Sequence, residues 1–143
     1  MNDHIPNSPV KLNNLKNSLC LISPGDFQCM MDLQNCYFHV RVNKAHQQFL
    51  GFSWRDPYSG EELFYTFCVM IYGAKSAVSI ITRLIKPIVS YLHSSGIKYA
   101  IYVDDGRTSA SSKELTEEHH QKVLEIFSSA GWNIQRTWLS GLS

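Results

Sequence analysis

Apolar and polar positions change period several times along this chain, and each change marks an element. Phe27 to Leu33 is an apolar run that reads as a β-strand with one acid, Asp32, near its C-terminal end. Asn35 to Phe38 leaves the strand as a single helical turn. Phe49 to Trp54 and Leu63 to Val69 are aromatic and β-prone, and the Asp56-Pro57-Tyr58-Ser59-Gly60 cluster between them predicts a hairpin. Because these aromatics alternate with the sheet period, they read as packing residues rather than base-stacking ones. Val78, Ile81, Ile85, Ile88 and Leu92 recur at helical spacing, so a helix is predicted from Ser76 to His93, with Gly96 placed to stop it. Pro87 lies inside that run and is expected to kink it or weaken a turn.

The second half repeats the alternation of strand and helix. Ile97 to Val103 is an apolar strand running into Asp104 and Asp105, and Asp105-Gly106 is a short hairpin signal followed by a return strand. Ser111-Ser112-Lys113-Glu114 offers a capping box. After it, Leu115, His119, Val123, Ile126, Phe127 and Ala130 trace the expected buried face of a second helix. Gly131 ends that helix, and Trp132 to Arg136 adds a last strand. Near the N-terminus, Leu12, Leu15 and Leu19 are spaced for one short amphipathic helix within a lead-in punctuated by Pro6, Pro9 and Ser23-Pro24-Gly25. Strand, hairpin, helix, strand-turn-strand, helix, strand predicts an α+β fold, with helices packed on one face of a mainly antiparallel sheet.

Composition narrows the picture modestly. The 143 residues suffice for one domain with a real core. A formal net charge of +1, from 13 basic and 12 acidic residues, gives no global electrostatic case for a nucleic-acid partner. Cys20, Cys29, Cys36 and Cys68 lack C-x-x-C spacing, so they read as buried or half-buried free thiols of an intracellular protein, with one disulfide left open. His119-His120 reads as surface rather than as a ligand pair. No signal-peptide core is present, and Arg83 and Lys86 interrupt the longest greasy stretch, so neither secretion nor a membrane span is expected.

The chemistry rests on three acids. Taken alone, Asp104-Asp105 is a solvated turn. If its strand neighbours the one bearing Asp32, three carboxylates converge and repel one another unless cations sit between them. Mg²⁺ takes one or two carboxylates plus phosphate oxygens, and a pair of ions clamps the attacking and leaving oxygens of nucleotidyl transfer. A phospho-accepting receiver domain also combines an Asp pair with a lone strand-end Asp, but there the pair comes first.

Several blocks then become recognisable in order. Met31-Asp32-Leu33-Gln34-Asn35-Cys36-Tyr37-Phe38-His39-Val40, Ala45 to Trp54, Tyr72-Gly73-Ala74-Lys75-Ser76-Ala77, Tyr102-Val103-Asp104-Asp105 and Ala130-Gly131-Trp132 together resemble the palm of a reverse transcriptase. They look closest to those of DIRS-like retroelements. YxDD alone is weakly specific, whereas these blocks in this order, over about residues 12 to 136, are strongly so. The resemblance implies an antiparallel palm sheet with an RRM or ferredoxin-like core over 26–138, and a partial fingers segment at about 40–74. It leaves 1–25 as a lead-in and 139–143 as a tail without a thumb.

The same resemblance implies RNA-directed DNA polymerase activity with two Mg²⁺ ions (Mn²⁺ as a substitute), acting on template-primer and dNTPs in the cytoplasm or nucleus. Asp32 and Asp104 would hold the ions with Asp105 in support, and the Leu33 carbonyl would reach one of them. Tyr37 would lie beneath the incoming sugar and help reject a 2′-hydroxyl. Gly73 would admit the nucleotide and template, and Tyr102 and Val103 would lie near the primer end. The chain departs from the family pattern at Asn35, where a second acid is usual, and at Ile71 and Val78, where prolines are usual. Arg107 stands at a commonly apolar position, and Trp138 where a lysine is thought to protonate pyrophosphate. Those departures, with the absent thumb, motivate the alternative of an inactive retroelement remnant that serves as a binding or structural module.

Overall fold

In the computed structural model, residues 22–141 are described. The helix expected around Leu12, Leu15 and Leu19, and Cys20, lie outside them. The elements are β1 (Phe27–Leu33), a 3₁₀ turn (Cys36–His39), α1 (Lys44–Gln47), β2 (Gly51–Arg55), β3 (Glu62–Thr66), α2 (Ala77–Ser94), β4 (Lys98–Tyr102), β5 (Asp105–Ala110), α3 (Lys113–Ser129) and β6 (Ile134–Gly141). Four strands form one antiparallel sheet in the order β4-β5-β1-β6. That order, with α2 and α3 as the two crossovers, is the ferredoxin-like split βαβ arrangement that the family resemblance implies.

Alternation along β1 decides which way the sheet faces. Cys29, Met31 and Leu33 are buried, while Asp32 between them is only partly so. Side chains alternate across a strand, so Asp32 lies on the face opposite the helices. Beneath the other face, Ile81, Ile85 and Leu92 of α2 and Val123 and Phe127 of α3 close one core with Met31, Leu33 and Tyr99. Burial of such side chains contributes about 1.5–3 kcal/mol each. The expected α2 stripe holds, and the helix continues through Pro87 to Ser94. Both long helices end in reciprocal closing bonds, Ile97 N–H to Leu92 and Gly96 N–H to His93, then Trp132 N–H to Phe127 and Gly131 N–H to Ser128. Those closures turn buried Ile97 and Trp132 toward the strands that follow.

Four expectations need correction. The inward face of α3 is Thr116, His120, Val123 and Phe127, not one running through Leu115, His119 and Ala130. Thr116 fits there because its hydroxyl bonds back to the Ser112 carbonyl at 2.7 Å, and His120 because Nδ1 lies 3.2 Å from the Thr108 hydroxyl. Ser112 caps α3 by accepting the Leu115 N–H at 3.2 Å, a single cap rather than a reciprocal box. β6 runs to Gly141, so the segment expected as a tail is mostly strand paired with β1. Finally, Cys68 is exposed, while Cys29 and Cys36 are buried free thiols.

The β2–β3 hairpin forms a separate two-stranded sheet. Its stem runs out and back side by side, with Val42 N–H on the Cys68 carbonyl at 2.9 Å and Met70 N–H on the Val40 carbonyl at 2.8 Å. The expectation that its aromatics pack inward is overturned: every residue of β2 is exposed, and so is most of β3. A lone hairpin has no second layer to bury its face. Among the described residues, no helix is long and apolar enough to cross a membrane.

Two outcomes follow from this packing. A Cβ at Gly106 would collide with the Tyr99 hydroxyl and approach Met31 Cγ to 2.9 Å. Gly106→Ala should therefore cost about 1–3 kcal/mol in urea unfolding, as overpacked cores do. Burial pushes the His120 imidazole pKa down, and its Nε2 has no hydrogen-bond partner. The unfolded chain then binds the extra proton more readily, so stability should fall as pH drops below about 6.5. In His120→Gln, unfolding midpoints measured across that window should show a flatter acid limb.

Candidate active site

The acids meet because of register. β1 pairs antiparallel with β5 so that Asp32 stands opposite Asp105, and β5 pairs with β4 so that Asp105 stands opposite Tyr102. Register partners share a face, so Tyr102, Asp105 and Asp32 form one row across three strands on the helix-free side. In the next strand, Arg136 holds the register position opposite Asp32, and the β1–β6 ladder shifts register between Asp32 and Leu33. A register shift of this kind bends the strand and increases its twist beside the row.

The turn itself is not where Asp-Gly would put it. Tyr102 and Asp105 close the hairpin, leaving Val103-Asp104 as a two-residue loop, while Asp105-Gly106 opens β5. Val103 has φ 60°, and Asp104 is not in the positive-φ set, the pattern of a II′ turn. That is an uncommon conformation for a β-branched residue and costs on the order of 1–3 kcal/mol. The Asp104 carbonyl meets that strain by accepting the Leu33 N–H at 3.0 Å, which ties the loop to the end of β1. Gly106 follows directly because the Tyr99 ring occupies the space beneath it.

The electrostatics agree with this placement. Burial, and then the charges of Asp104 and Asp105, hold the Asp32 carboxyl above the usual carboxylate range. Below the site, burial and the negative charge of Asp104 push the Cys36 thiol up to about 11, so it stays protonated at neutral pH. Among the described residues, no three His, Cys, Asp or Glu side chains form a group that could hold a metal ion. The acids are therefore brought together by the backbone without forming a closed cage. Mutual repulsion opposes such a cage, and Mg²⁺ sites keep part of their coordination for water and phosphate oxygens.

The remaining expected residues surround this row. Asn35, in the left-handed region at φ 52°, turns the chain out of β1 into the 3₁₀ turn that carries Tyr37. Tyr37 is 6% exposed and Tyr102 is 56% exposed, so only the second is open to a ligand without rearrangement. Leu33 has a buried side chain and meets the turn through its backbone N–H, which donates to the Asp104 carbonyl. Gly73 has φ 81° with nothing within 4 Å of a Cβ position, so it turns the chain without crowding.

One residue was missed by reading the sequence. The Tyr72 ring lies 4.4 Å from that of Tyr37 at 60°, and 6.1 Å from that of Phe38. Burial, Cys36 and the charges of Asp104 and Asp32 raise its hydroxyl pKa, which places it in the field of the acids. The available signal was an aromatic immediately before Gly73.

Residues 9–137 match the family described as reverse transcriptase (RNA-dependent DNA polymerase). The chain belongs to that family. Its fold is similar to that in a crystal structure of a prototype foamy virus protease-reverse transcriptase, with TM-score 0.72 and 19% sequence identity. The similarity covers 93% of this chain and 17% of the foamy virus chain, so these 143 residues span about a sixth of that protein. No curated protein matches it in sequence.

Crowded acids predict a trade between stability and function. Because the folded-state pKa of Asp32 is raised, its ionisation opposes folding, and that cost appears as pH rises through and above about 4. Asp32→Asn should therefore be more stable than the wild type in chelator at neutral pH. The difference, read from thermal unfolding, should vanish in acid and shrink when Mg²⁺ is added.

Proposed function

We propose that the chain is the palm-centred piece of an RNA-directed DNA polymerase, acting by two-metal nucleotidyl transfer from a dNTP to a primer 3′-hydroxyl. The observation that carries this reading is the row of Asp32 and Asp105 in register, with Asp104 tied to Leu33 on the same sheet end. Like charges held together at one sheet end suit a divalent cation. Asp32 and Asp104 would hold Mg²⁺ or Mn²⁺, with Asp105 in support. When bound, such ions supply charge neutralisation at the phosphates and favour deprotonation of the attacking hydroxyl.

The protein's own part is positioning. The Leu33 N–H holds the Asp104 backbone against the end of β1, and Tyr102 offers an exposed ring beside the acids for the primer end. Tyr37, buried edge-on behind the exposed Tyr72 ring, would meet the incoming sugar only after rearrangement, and there would help reject a 2′-hydroxyl. Gly73, with open space where a Cβ would stand, would leave room there for the nucleotide and template. Template-primer and dNTPs are the implied partners, and fingers and thumb segments would grip them. The first block, Met31 to Val40, and the segment after it resemble those of DIRS-like retroelements, which supports an origin in such an element.

A second reading, a non-catalytic remnant, draws on the absence of a three-ligand group among the described residues and on Trp138 where a lysine is usual. Primer extension separates the two. A longer chain carrying fingers and thumb around these residues should extend a primer only with Mg²⁺ or Mn²⁺. Asp104→Asn should lower the rate by about 10²–10³-fold, the scale of losing one preorganised electrostatic group. Equal extension by wild type and variant would remove the metal role from Asp104. No divalent-ion dependence in calorimetry with nucleotide and template-primer would favour the remnant.

A further inference from the structure

The turn that leaves β1 is tied to a second turn almost a hundred positions away in sequence. Asp32 and Leu33 end β1, Asn35 reverses the chain at φ 52°, and Cys36–His39 form the 3₁₀ turn that holds Tyr37. Between them stands Gln34, and both of its backbone polar groups are engaged. Its N–H donates to the Asn133 carbonyl at 2.9 Å, and its carbonyl lies 3.1 Å from His39 Nε2. A carbonyl only accepts, so His39 Nε2 carries the proton and donates it. The same imidazole lies 5.4 Å from the Trp132 ring, tilted by 37°.

Trp132 is a firm anchor for that ring. It is buried in the core, and its N–H closes α3 on the Phe127 carbonyl at 3.0 Å. The end of β1, by contrast, lacks a regular ladder on this side, because the β1–β6 register shifts between Asp32 and Leu33. A shifted register disrupts the ladder locally, so the Gln34 contacts supply the hold that regular pairing would have given. Immediately after His39, the Val40 carbonyl accepts the Met70 N–H at 2.8 Å and opens the hairpin stem. His39 therefore stands where the exit turn of β1, the hairpin stem and the α3–β6 turn meet.

We propose that His39 is a positioning residue for nucleotidyl transfer: it clasps the exit turn of β1 to Trp132, and so fixes the segment from Asp32 to Tyr37 that the incoming nucleotide meets. Its effect passes through the Gln34 backbone. The role rests on the polymerase reading and adds a residue that reading does not use. Tyr102 and Val103, the residues implied at the primer end, lie outside the clasped segment. Loss of the clasp should therefore be felt by the nucleotide and not by the template-primer.

Steady-state primer extension by the longer chain with fingers and thumb tests this. His39→Ala should raise the KM for dNTP and lower kcat/KM for dNTP by about tenfold, within what a small misplacement of reacting groups brings. The KM for template-primer should hold. His39→Gln keeps an N–H for the Gln34 carbonyl and should recover most of the loss, whereas His39→Phe keeps a ring beside Trp132 without the donor and should not. In the 143-residue chain, amide exchange over residues 34–38 should quicken in His39→Ala and His39→Phe but not in His39→Gln. If thermal unfolding shows that His39→Ala has lost its fold, the Phe and Gln variants carry the comparison. A merely structural contact would lower the active fraction, so kcat would fall with both KM values unchanged, and that result overturns the proposal. So does a Gln variant no better than the Phe variant, or exchange that stays at the wild-type rate. A wild type that extends while His39→Ala matches it removes His39 alone. A wild type that extends no primer removes the polymerase reading and this role with it.

Discussion

β1 lies between β5 and β6, and its register with β5 is the constraint on which the acidic site depends. A slip of one residue would turn Asp32 into the core and Met31 or Leu33 into solvent, because side chains alternate with a period of exactly two. The core forbids that slip: Met31, Leu33, Tyr99 and Phe127 are almost wholly buried together beneath the sheet. Burial on one face thus holds the carboxylate in place on the other. The Leu33 N–H to Asp104 carbonyl bond then locks the loop to the same strand end.

That arrangement explains why the site tolerates strain. Val103 adopts a backbone conformation that disfavours a β-branched residue, and Asp32 sits where burial and like charge both oppose its ionisation. Each feature works against stability, and each lies within one residue pair of the acidic row. Concentration of unfavourable terms at one end of a well-packed sheet is the pattern of a site held by its scaffold for chemistry. The opposite end carries ordinary structural devices, such as the Lys98–Asp26 ion pair at 2.9 Å beside the start of β1.

Much of this was legible in the order of residues. The helical stripe of α2, the glycine stops at Gly96 and Gly131, the strand bearing Asp32 and the family blocks all depend on neighbours a few positions away. Errors arose where a local signal had a distant competitor. Asp105-Gly106 looked like a turn, but Gly106 is needed in the strand because Tyr99 fills the space under it, and the turn moved to Val103-Asp104. The α3 face shifted to Thr116 and His120 because each finds a hydrogen bond in the interior that hydrophobicity alone does not register. The aromatics of β2 and β3 alternate as a packed hairpin should, yet nothing among the described residues covers them.

By itself the sequence determined the type and order of the elements, the α+β class, the family and the identity of the three acids, because periodicity, helix stops and motif order are local properties. Only the tertiary structure decided that Asp32 faces Asp105 across a register pair. It also brought Tyr72 against Tyr37 and left the aromatic face of the hairpin exposed. Those are relations between residues tens of positions apart, set by which strands pair and which faces the core consumes, and no local pattern encodes them.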